Sequence, residues 1–268
     1  MKNREQKMKI LIALILTVTI GLGIARVWFE PYMSVESSEI TGLTLTPGST
    51  LHLEVPQFYT EDGKKRVCQL HIPEQYRKDE PVPLLVWFSP GNGSSSVASV
   101  PDIVDKRRFL VLALPYPDNK LPRLAVKAGK IDTFWAYEAP MLEYVRDLVP
   151  NISERVRIAG GFSSGAHLVG SGLDRKWLGF TDFFTAYIMH EGGYSPSMKF
   201  QGLKEGDKLL VTYGLKNNSY GKVVAREMNK AGLHPTVKKL AHTGHNMSQE
   251  AIDTIREWVE YTVMPGDE

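Results

Sequence analysis

The alternation of apolar and polar positions from about Thr50 onward predicts a hairpin followed by buried strands. Segments 51–59 and 65–73 alternate apolar and polar residues on either side of a polar, glycine-containing connection, which is typical of two antiparallel strands. Segments 82–88 and 108–116 are continuous apolar runs. Strands that are covered on both faces, as in a parallel sheet, have this pattern.

The rest of the chain alternates strand-like with helix-like segments. Further strands are predicted at 155–161, 183–189, 208–214 and 236–241. Helices are predicted at 95–107, 133–149 (interrupted at Pro140), 165–173, 221–232 and 248–263. This order predicts an α/β fold with a mostly parallel central sheet, helices on both faces and an antiparallel N-terminal hairpin. We assign residues 50–268 to this one domain.

The composition argues against nucleic-acid binding and excludes a disulfide or a metal site built from cysteines. The 268 residues include 32 basic and 30 acidic side chains, for a net charge of +2, and no basic stripe stands out. We therefore expect no nucleic-acid partner. Cys68 is the single cysteine, so the chain can form no intrachain disulfide and no cysteine-based metal site.

The first 25 residues have a different pattern from the domain. A basic stretch, 1–9, precedes an uncharged and mostly apolar run, Ile10–Ala25, which Arg26 ends. The run is shorter than the roughly 20 residues that span a bilayer, and its basic flank fits a secretory signal peptide. The alternative is a membrane anchor through residues 10–25. Either way we expect an exported protein, secreted, periplasmic or membrane-anchored, in which residues 26–49 are a linker.

The stretch Gly161-Phe162-Ser163-Ser164-Gly165 lies between a predicted strand and a predicted helix. A sharp turn there strains the backbone of its central serine and tolerates only small residues on either side. The hydroxyl stands clear of the sheet, and the N-terminus of the helix favours a developing negative charge. This motif resembles the nucleophile turn of the α/β-hydrolase family. The resemblance implies that Ser163 is the nucleophile and that the Ser164 N–H belongs to the oxyanion hole.

A serine nucleophile needs a base, and the family has the chain order serine, acid, histidine. His245 lies where the resemblance places the histidine, between the last predicted strand and the last predicted helix. The usual acid position, after segment 208–214, is occupied by an amide, Asn217. Glu191, at the end of the preceding strand, is the better candidate for the acid, and Asn217 is the alternative position. His167 and His190 could also lie near this site.

The second half of the oxyanion hole is expected in the loop after segment 82–88. The loop contains Gly91, Asn92 and Gly93, and glycine lets the backbone approach a ligand closely. We expect the N–H of Asn92 or Gly91 to be the donor. Over roughly residues 66–263 the layout is similar to exported esterases of the polyhydroxybutyrate depolymerase and feruloyl esterase kind.

Two functions are consistent with these residues. The first is a serine hydrolase that cleaves small or polymeric carboxylic esters through an acyl-enzyme, with no metal or cofactor. The second is a weakly active or inactive member of the fold that serves as a binding module at the cell surface or in the periplasm. The intact pair of Ser163 and His245 favours the first, and Asn217 favours the second.

Overall fold

The strands form one sheet in a computed structural model that describes residues 43–60, 62–117, 120–193, 198–230, 232 and 234–264. Within these residues the sheet has eight strands in the order β1-β2-β4-β3-β5-β6-β7-β8. The strands are β1 (Thr50–Val55), β2 (Arg66–His71), β3 (Val82–Phe88), β4 (Leu110–Leu114), β5 (Ile152–Phe162), β6 (Ala186–His190), β7 (Lys208–Tyr213) and β8 (Thr236–Lys239).

The sheet is antiparallel at one end and parallel elsewhere. Strands β1 and β2 form the expected hairpin, with Leu53 opposite Cys68, and β2 is also antiparallel to β4. From β4 through β3 to β8 all neighbours are parallel. Strands β4 and β6 are buried at every position, as strands covered on both faces must be. The predicted fold class is confirmed.

Five α-helices occur among the described residues. They are α1 (Pro122–Lys127), α2 (Asp132–Leu148), α3 (Ser164–Arg175), α4 (Asn218–Lys230) and α5 (Gln249–Trp258). Helix α5 covers one face of the sheet, where Ile255 and Trp258 share a core with Trp87 and Ile188. Helix α3 packs on β3, β5 and β6. Phe88, the neighbour of Trp87 along β3, lies against its first turn at Gly165, on the opposite face.

Two of the predicted helices differ in the structure. The helix predicted at 95–107 is wrong, because only a short 3₁₀ turn forms there, at Val97–Ser99. Pro101 explains the difference, since it has no N–H to donate and disfavours helical backbone at the residue before it. The interruption predicted at Pro140 is also wrong, because α2 continues through this proline. Helix α1 was not predicted.

The N-terminal predictions lie outside the described residues. The signal peptide or anchor at 1–25 and the linker up to residue 42 belong to the part that the structure does not describe. In the part that it does describe, every helix is too short or too polar to cross a membrane.

The carboxyl ends of the parallel strands point to one edge of the sheet. Ser163 follows β5, Glu191 follows β6, Asn217 comes shortly after β7 and His245 comes after β8. Ligands bind at this edge in open parallel sheets. The topology therefore collects the predicted site residues from four separate stretches of the chain.

Candidate active site

The serine turn, Gly161–Gly165, places Ser163 between the end of β5 and the start of α3. Ser163 has φ 54° and ψ −109°, a conformation that L-residues rarely adopt. Gly165 must be glycine, because a Cβ there would lie 1.8 Å from the carbonyl oxygen of Phe88. Ser163 precedes α3 without capping it through its side chain, so the hydroxyl is available for another partner.

The glutamate turn, Glu191–Gly193, follows the neighbouring strand β6. Glu191 also has φ 54°, and its N–H donates to the carbonyl of Thr212 on β7 at 3.0 Å. Its carboxylate is fully buried. The Gly214 N–H donates to Oε1, and the Asn217 amide donates to Oε2. Buried carboxylates need such donors, because desolvation otherwise disfavours the charged form.

His245 connects the two turns. Its Nε2 lies 2.9 Å from Ser163 Oγ, and its Nδ1 lies 3.4 Å from Glu191 Oε2. The imidazole is about half exposed, at 48%, so one side faces solvent and any substrate. The structure thus brings Ser163, His245 and Glu191 into one chain of contacts, in the order expected from the sequence for a nucleophile, a base and an acid.

Asn217 occupies the position after β7 where an acid was considered. Its amide does not replace the carboxylate of Glu191 but contacts it, and Nδ2 also lies 3.4 Å from His245 Nδ1. An amide N–H₂ group is a donor, so it suits an ionised carboxylate and offers nothing to a protonated imidazole. Of the two candidate positions, Glu191 is the one that places a carboxylate oxygen against His245, and Asn217 hydrogen-bonds that carboxylate.

The loop that carries His245 is fixed at both ends. Glu250 on α5 accepts the backbone N–H groups of Ala241 and His242, both at 2.8 Å. These bonds lower the pKa of the Glu250 carboxyl, with the His242 N–H as the main cause. On the other side of His245, the carbonyl of Asn246 contacts His190 Nε2 at 3.0 Å. The backbone is therefore fixed both before and after His245, which restricts the position of its imidazole.

His190 is buried directly behind the glutamate turn. Its Nδ1 lies 2.8 Å from the Thr212 hydroxyl. Because Nε2 faces a carbonyl, Nε2 carries the proton and donates it, while Nδ1 accepts from Thr212. Burial lowers the pKa of His190, the bond to Asn246 opposing that shift. His190 is thus a neutral imidazole whose two hydrogen bonds connect β6 to β7 and to the loop that carries His245.

The predicted oxyanion-hole residues lie at the same edge. Ser164 is buried as the first residue of α3, where the N–H groups have no acceptor within the helix. Gly91 and Asn92 lie in the exposed loop after β3, with Gly91 at φ 62°. Because the end of β3 touches Gly165, this loop and the serine turn are neighbours.

His167 lies one helical turn beyond Ser163 on α3, and its N–H donates to the Ser163 carbonyl at 3.1 Å. Its Nδ1 is buried with no hydrogen-bond partner in the described part of the chain. Burial lowers the pKa of His167 to about 4, and the positive charges of Arg123 and His245 contribute to the shift. His167 is therefore neutral near pH 7.

Comparison with known proteins gives structural neighbours only. No protein-family model and no curated protein matches the sequence. S-formylglutathione hydrolase (FrmB) from Staphylococcus aureus superposes with a TM-score of 0.58 and 11% identity, over 83% of this chain and 100% of that one. Esterase 2 of Thermogutta terrifontis, phosphorylated by paraoxon, gives 0.51 and 13%, over 81% and 96%. Acylaminoacyl peptidase from Pyrococcus horikoshii gives 0.56 and 12%, over 82% of this chain and 42% of that one.

These similarities, together with the strand order, show that the chain has the α/β-hydrolase fold. At such low identities the likeness extends to the fold alone.

Several residues of the site were not assigned a role from the sequence. Thr212 and Asn246 have no distinguishing motif in the sequence, and the sequence predicts only that their partner His190 lies near the site. A polar residue that ends a buried strand, such as His190 before Glu191, is the one signal that could have indicated a structural role.

Proposed function

We propose that this chain is a serine hydrolase that cleaves carboxylic esters through an acyl-enzyme. The observation that carries the proposal is the contact chain from Ser163 Oγ through His245 to the buried Glu191 carboxylate. A hydroxyl is a weak nucleophile until an adjacent base takes its proton. His245 Nε2 lies within hydrogen-bonding distance of that proton.

In the proposed reaction, Ser163 Oγ attacks the ester carbonyl while His245 Nε2 takes its proton. The resulting imidazolium donates from Nδ1 to Glu191, whose negative charge stabilises it. The 3.4 Å contact between Nδ1 and Oε2 is long, as such contacts often are before substrate binds. His245 then protonates the leaving alcohol, and a water molecule attacks the acyl-enzyme by the same route.

The oxyanion of the tetrahedral intermediate is assigned to backbone donors. The N–H of Ser164 is the first, and the N–H of Asn92 or Gly91 is the second. Removing one donor aimed at the developing charge raises the barrier by about 3–4 kcal/mol in comparable enzymes. Every step of this mechanism uses protein groups, so the proposal includes no metal or cofactor.

The most direct experiment compares Ser163→Ala with Ser164→Ala. The first variant should lose turnover of a short-chain nitrophenyl ester and should no longer react with a fluorophosphonate probe. The second should retain much of both, because it keeps the backbone N–H. Equal loss in the two variants would mean that the serine turn has been assigned wrongly. Absence of labelling and of turnover in the wild-type protein would leave the binding-module hypothesis.

The kind of esterase and its export are proposed from the sequence, by its resemblance to exported esterases. We propose an exported esterase of the polyhydroxybutyrate depolymerase or feruloyl esterase kind, delivered by residues 1–25. The basic flank and apolar run support export. A reporter fused to residues 1–32 should leave the cytoplasm, and a wholly cytoplasmic reporter would reject this part of the proposal.

A further inference from the structure

The loop that carries the second proposed oxyanion donor contains a β-turn, residues 90–93. The Gly93 N–H donates to the Pro90 carbonyl at 3.2 Å, which closes the turn. That bond does not use the N–H groups of the two central residues, Gly91 and Asn92, and both residues are exposed. These are the N–H groups assigned to the oxyanion, so their position depends on what holds the ends of the turn.

Tyr116 contacts the turn at both ends. At the first end, its hydroxyl donates to the Ser89 carbonyl, which forms the peptide bond with Pro90. At the other end, its ring lies against the backbone of Gly93, where an added Cβ would be 2.6 Å from Cδ2 of the ring. The φ of Gly93, 81°, also favours glycine. One side chain therefore fixes the beginning and the end of the turn.

The surroundings of Tyr116 keep its side chain in one place. Strands β3 and β4 are parallel neighbours, so the chain that leaves β4 passes the turn, and Pro115 forms an antiparallel bridge with Gly93. Phe134 of α2 packs edge-on against the Tyr116 ring, with the ring centroids 5.7 Å apart. Only 3% of Tyr116 is exposed. A close-packed side chain of this kind transmits its own fixed position to the backbone that it contacts.

We infer that Tyr116 is a positioning residue of the oxyanion hole, which holds the turn 90–93 where the N–H groups of Gly91 and Asn92 can face the reacting carbonyl. It acts through the backbone of the turn. This inference rests on the proposed function and adds to it a residue that the nucleophile, base and acid do not include. Because an oxyanion develops only in the transition state, displacing its donors should lower kcat and leave KM unchanged.

The first arm of the test removes the hydroxyl and keeps the ring. Tyr116→Phe should lower kcat for a nitrophenyl butanoate about tenfold to a hundredfold, with KM changed less than about twofold. Tyr187→Phe is the matched control. Tyr187 is also buried and donates its hydroxyl to a backbone carbonyl, that of Phe184 at 3.0 Å, but it lies on β6, which neighbours neither β3 nor β4. The control should lose similar stability in urea and keep its kcat. Equal changes of kcat in the two variants would overturn the inference.

The second arm uses trifluoromethyl butyl ketone, whose adduct has the charge of the intermediate. When Ser163 Oγ bonds to the carbonyl carbon, the carbonyl electron pair moves to oxygen and the hydroxyl proton passes to His245, so the adduct depends on the oxyanion donors. Tyr116→Phe should weaken inhibition by about the same factor as kcat, and Tyr187→Phe should not weaken it. An unchanged inhibition constant beside a lowered kcat would overturn the inference, because a merely structural role of Tyr116 does not act on the adduct.

The third arm needs no turnover and follows the turn itself. The Gly93 amide, whose hydrogen bond closes the turn, should exchange with solvent at least tenfold faster in Tyr116→Phe than in the wild type, and at the wild-type rate in Tyr187→Phe. Unchanged exchange would show that Tyr116 does not hold the turn. An active wild type beside an equally active Tyr116→Phe would reject this inference alone. A wild type without turnover or probe labelling would instead reject the proposed function, and the inference would fall with it.

Discussion

Ser163 and Glu191 share the same unusual backbone φ at the ends of neighbouring strands, but the protein supports them differently. Both have φ 54°, which costs about 1–3 kcal/mol for a residue with a side chain. The serine turn is held by steric fit, since Gly165 lies directly against β3. The glutamate turn is held by hydrogen bonds to its buried carboxylate, from Gly214 and Asn217.

The two turns are also joined to each other. The Ser163 N–H donates to the carbonyl of His190 at 2.9 Å. A Cβ on Gly192 would lie 2.5 Å from the Ser163 carbonyl oxygen. A change at one turn should therefore reach the other. The comparison teaches that the serine turn depends on small residues nearby in the sequence, whereas the glutamate turn depends on polar groups that only the tertiary structure supplies.

The largest expected effect concerns the carboxylate. Glu191→Gln should lower kcat by about four orders of magnitude, because the imidazolium of His245 loses its counter-charge. Circular dichroism and thermal unfolding would show whether the variant remains folded.

The companion variant, Asn217→Asp, distinguishes the two candidate acids. It places a second negative charge against Glu191 Oε2, so like-charge repulsion should lower kcat about tenfold. If Asn217→Asp instead raised turnover while Glu191→Gln had little effect, the acid position would lie after β7.

The second effect, on the free energy of unfolding, tests how much each turn depends on the close packing of its glycine. Gly165→Ala should destabilise the protein by about 3 kcal/mol or more, because the added carbon meets backbone. Gly192→Ala should cost about 1–3 kcal/mol and also lower turnover, since it pushes on Ser163. Gly244→Ala is the control for stability, because its nearest contact would be 3.6 Å from Asn246 Oδ1. Urea unfolding measures all three, and equal midpoints would contradict the steric account.

This difference between the turns explains what the sequence could predict. The serine turn is a local pattern, so Ser163 and its strand and helix follow from five consecutive residues. The position of His245 follows from chain order. Glu191 could be proposed only as one of two candidates, because the side-chain partners of a carboxylate depend on how β6 and β7 lie side by side.

The features that were missed have similar causes. Asn217 was weighed as a replacement for the acid, and its actual contact with Glu191 joins residues 26 positions apart. Helix α1 has six residues, too few to give a helical period. In segment 95–107 the place between two predicted strands suggested a helix, and Pro101 prevents one.

A third and smaller effect, on the stability of the protein, concerns Glu138, a buried acidic residue of α2. Tyr116 donates its hydroxyl to the Ser89 carbonyl in the loop after β3, and burial, together with the neighbouring Glu138 of α2, raises the pKa of Tyr116 well above its usual value. The Glu138 carboxyl is fully buried, and neither oxygen has a hydrogen-bond partner within the described chain. Burial raises its pKa well above the usual value.

The sign of the pH dependence follows from that raised pKa. The unfolded chain releases the Glu138 proton near pH 4.3, while the folded protein retains it, so stability is lost as the pH rises above that value. Glu138→Met keeps the volume and removes the carboxyl. It should raise the free energy of unfolding by about 1–3 kcal/mol at pH 8 and by less at pH 5. An equal loss of stability at both pH values would show that the carboxyl has a partner in the folded protein.

The smallest effect tests the hydrogen bonds behind the glutamate turn. Thr212→Val keeps the shape of the side chain and the backbone carbonyl that binds Glu191, but removes the hydroxyl that donates to His190 Nδ1. Leaving that buried nitrogen unpaired should cost about 1–2 kcal/mol. Turnover should fall less than threefold, because Nε2 still binds the Asn246 carbonyl beside His245.

The same variant has an expected behaviour in acid. The lowered pKa of His190 means that the unfolded chain takes up a proton near pH 6.5 while the folded protein does not. Stability should therefore fall as the pH drops below 6.5, by at most about 1.4 kcal/mol per pH unit for this one proton. Urea unfolding at pH 7.5 and 5.5 should show this loss in both proteins, with Thr212→Val lower by a similar amount at each. A variant as stable as the wild type would mean that the Thr212 hydroxyl does not support the imidazole.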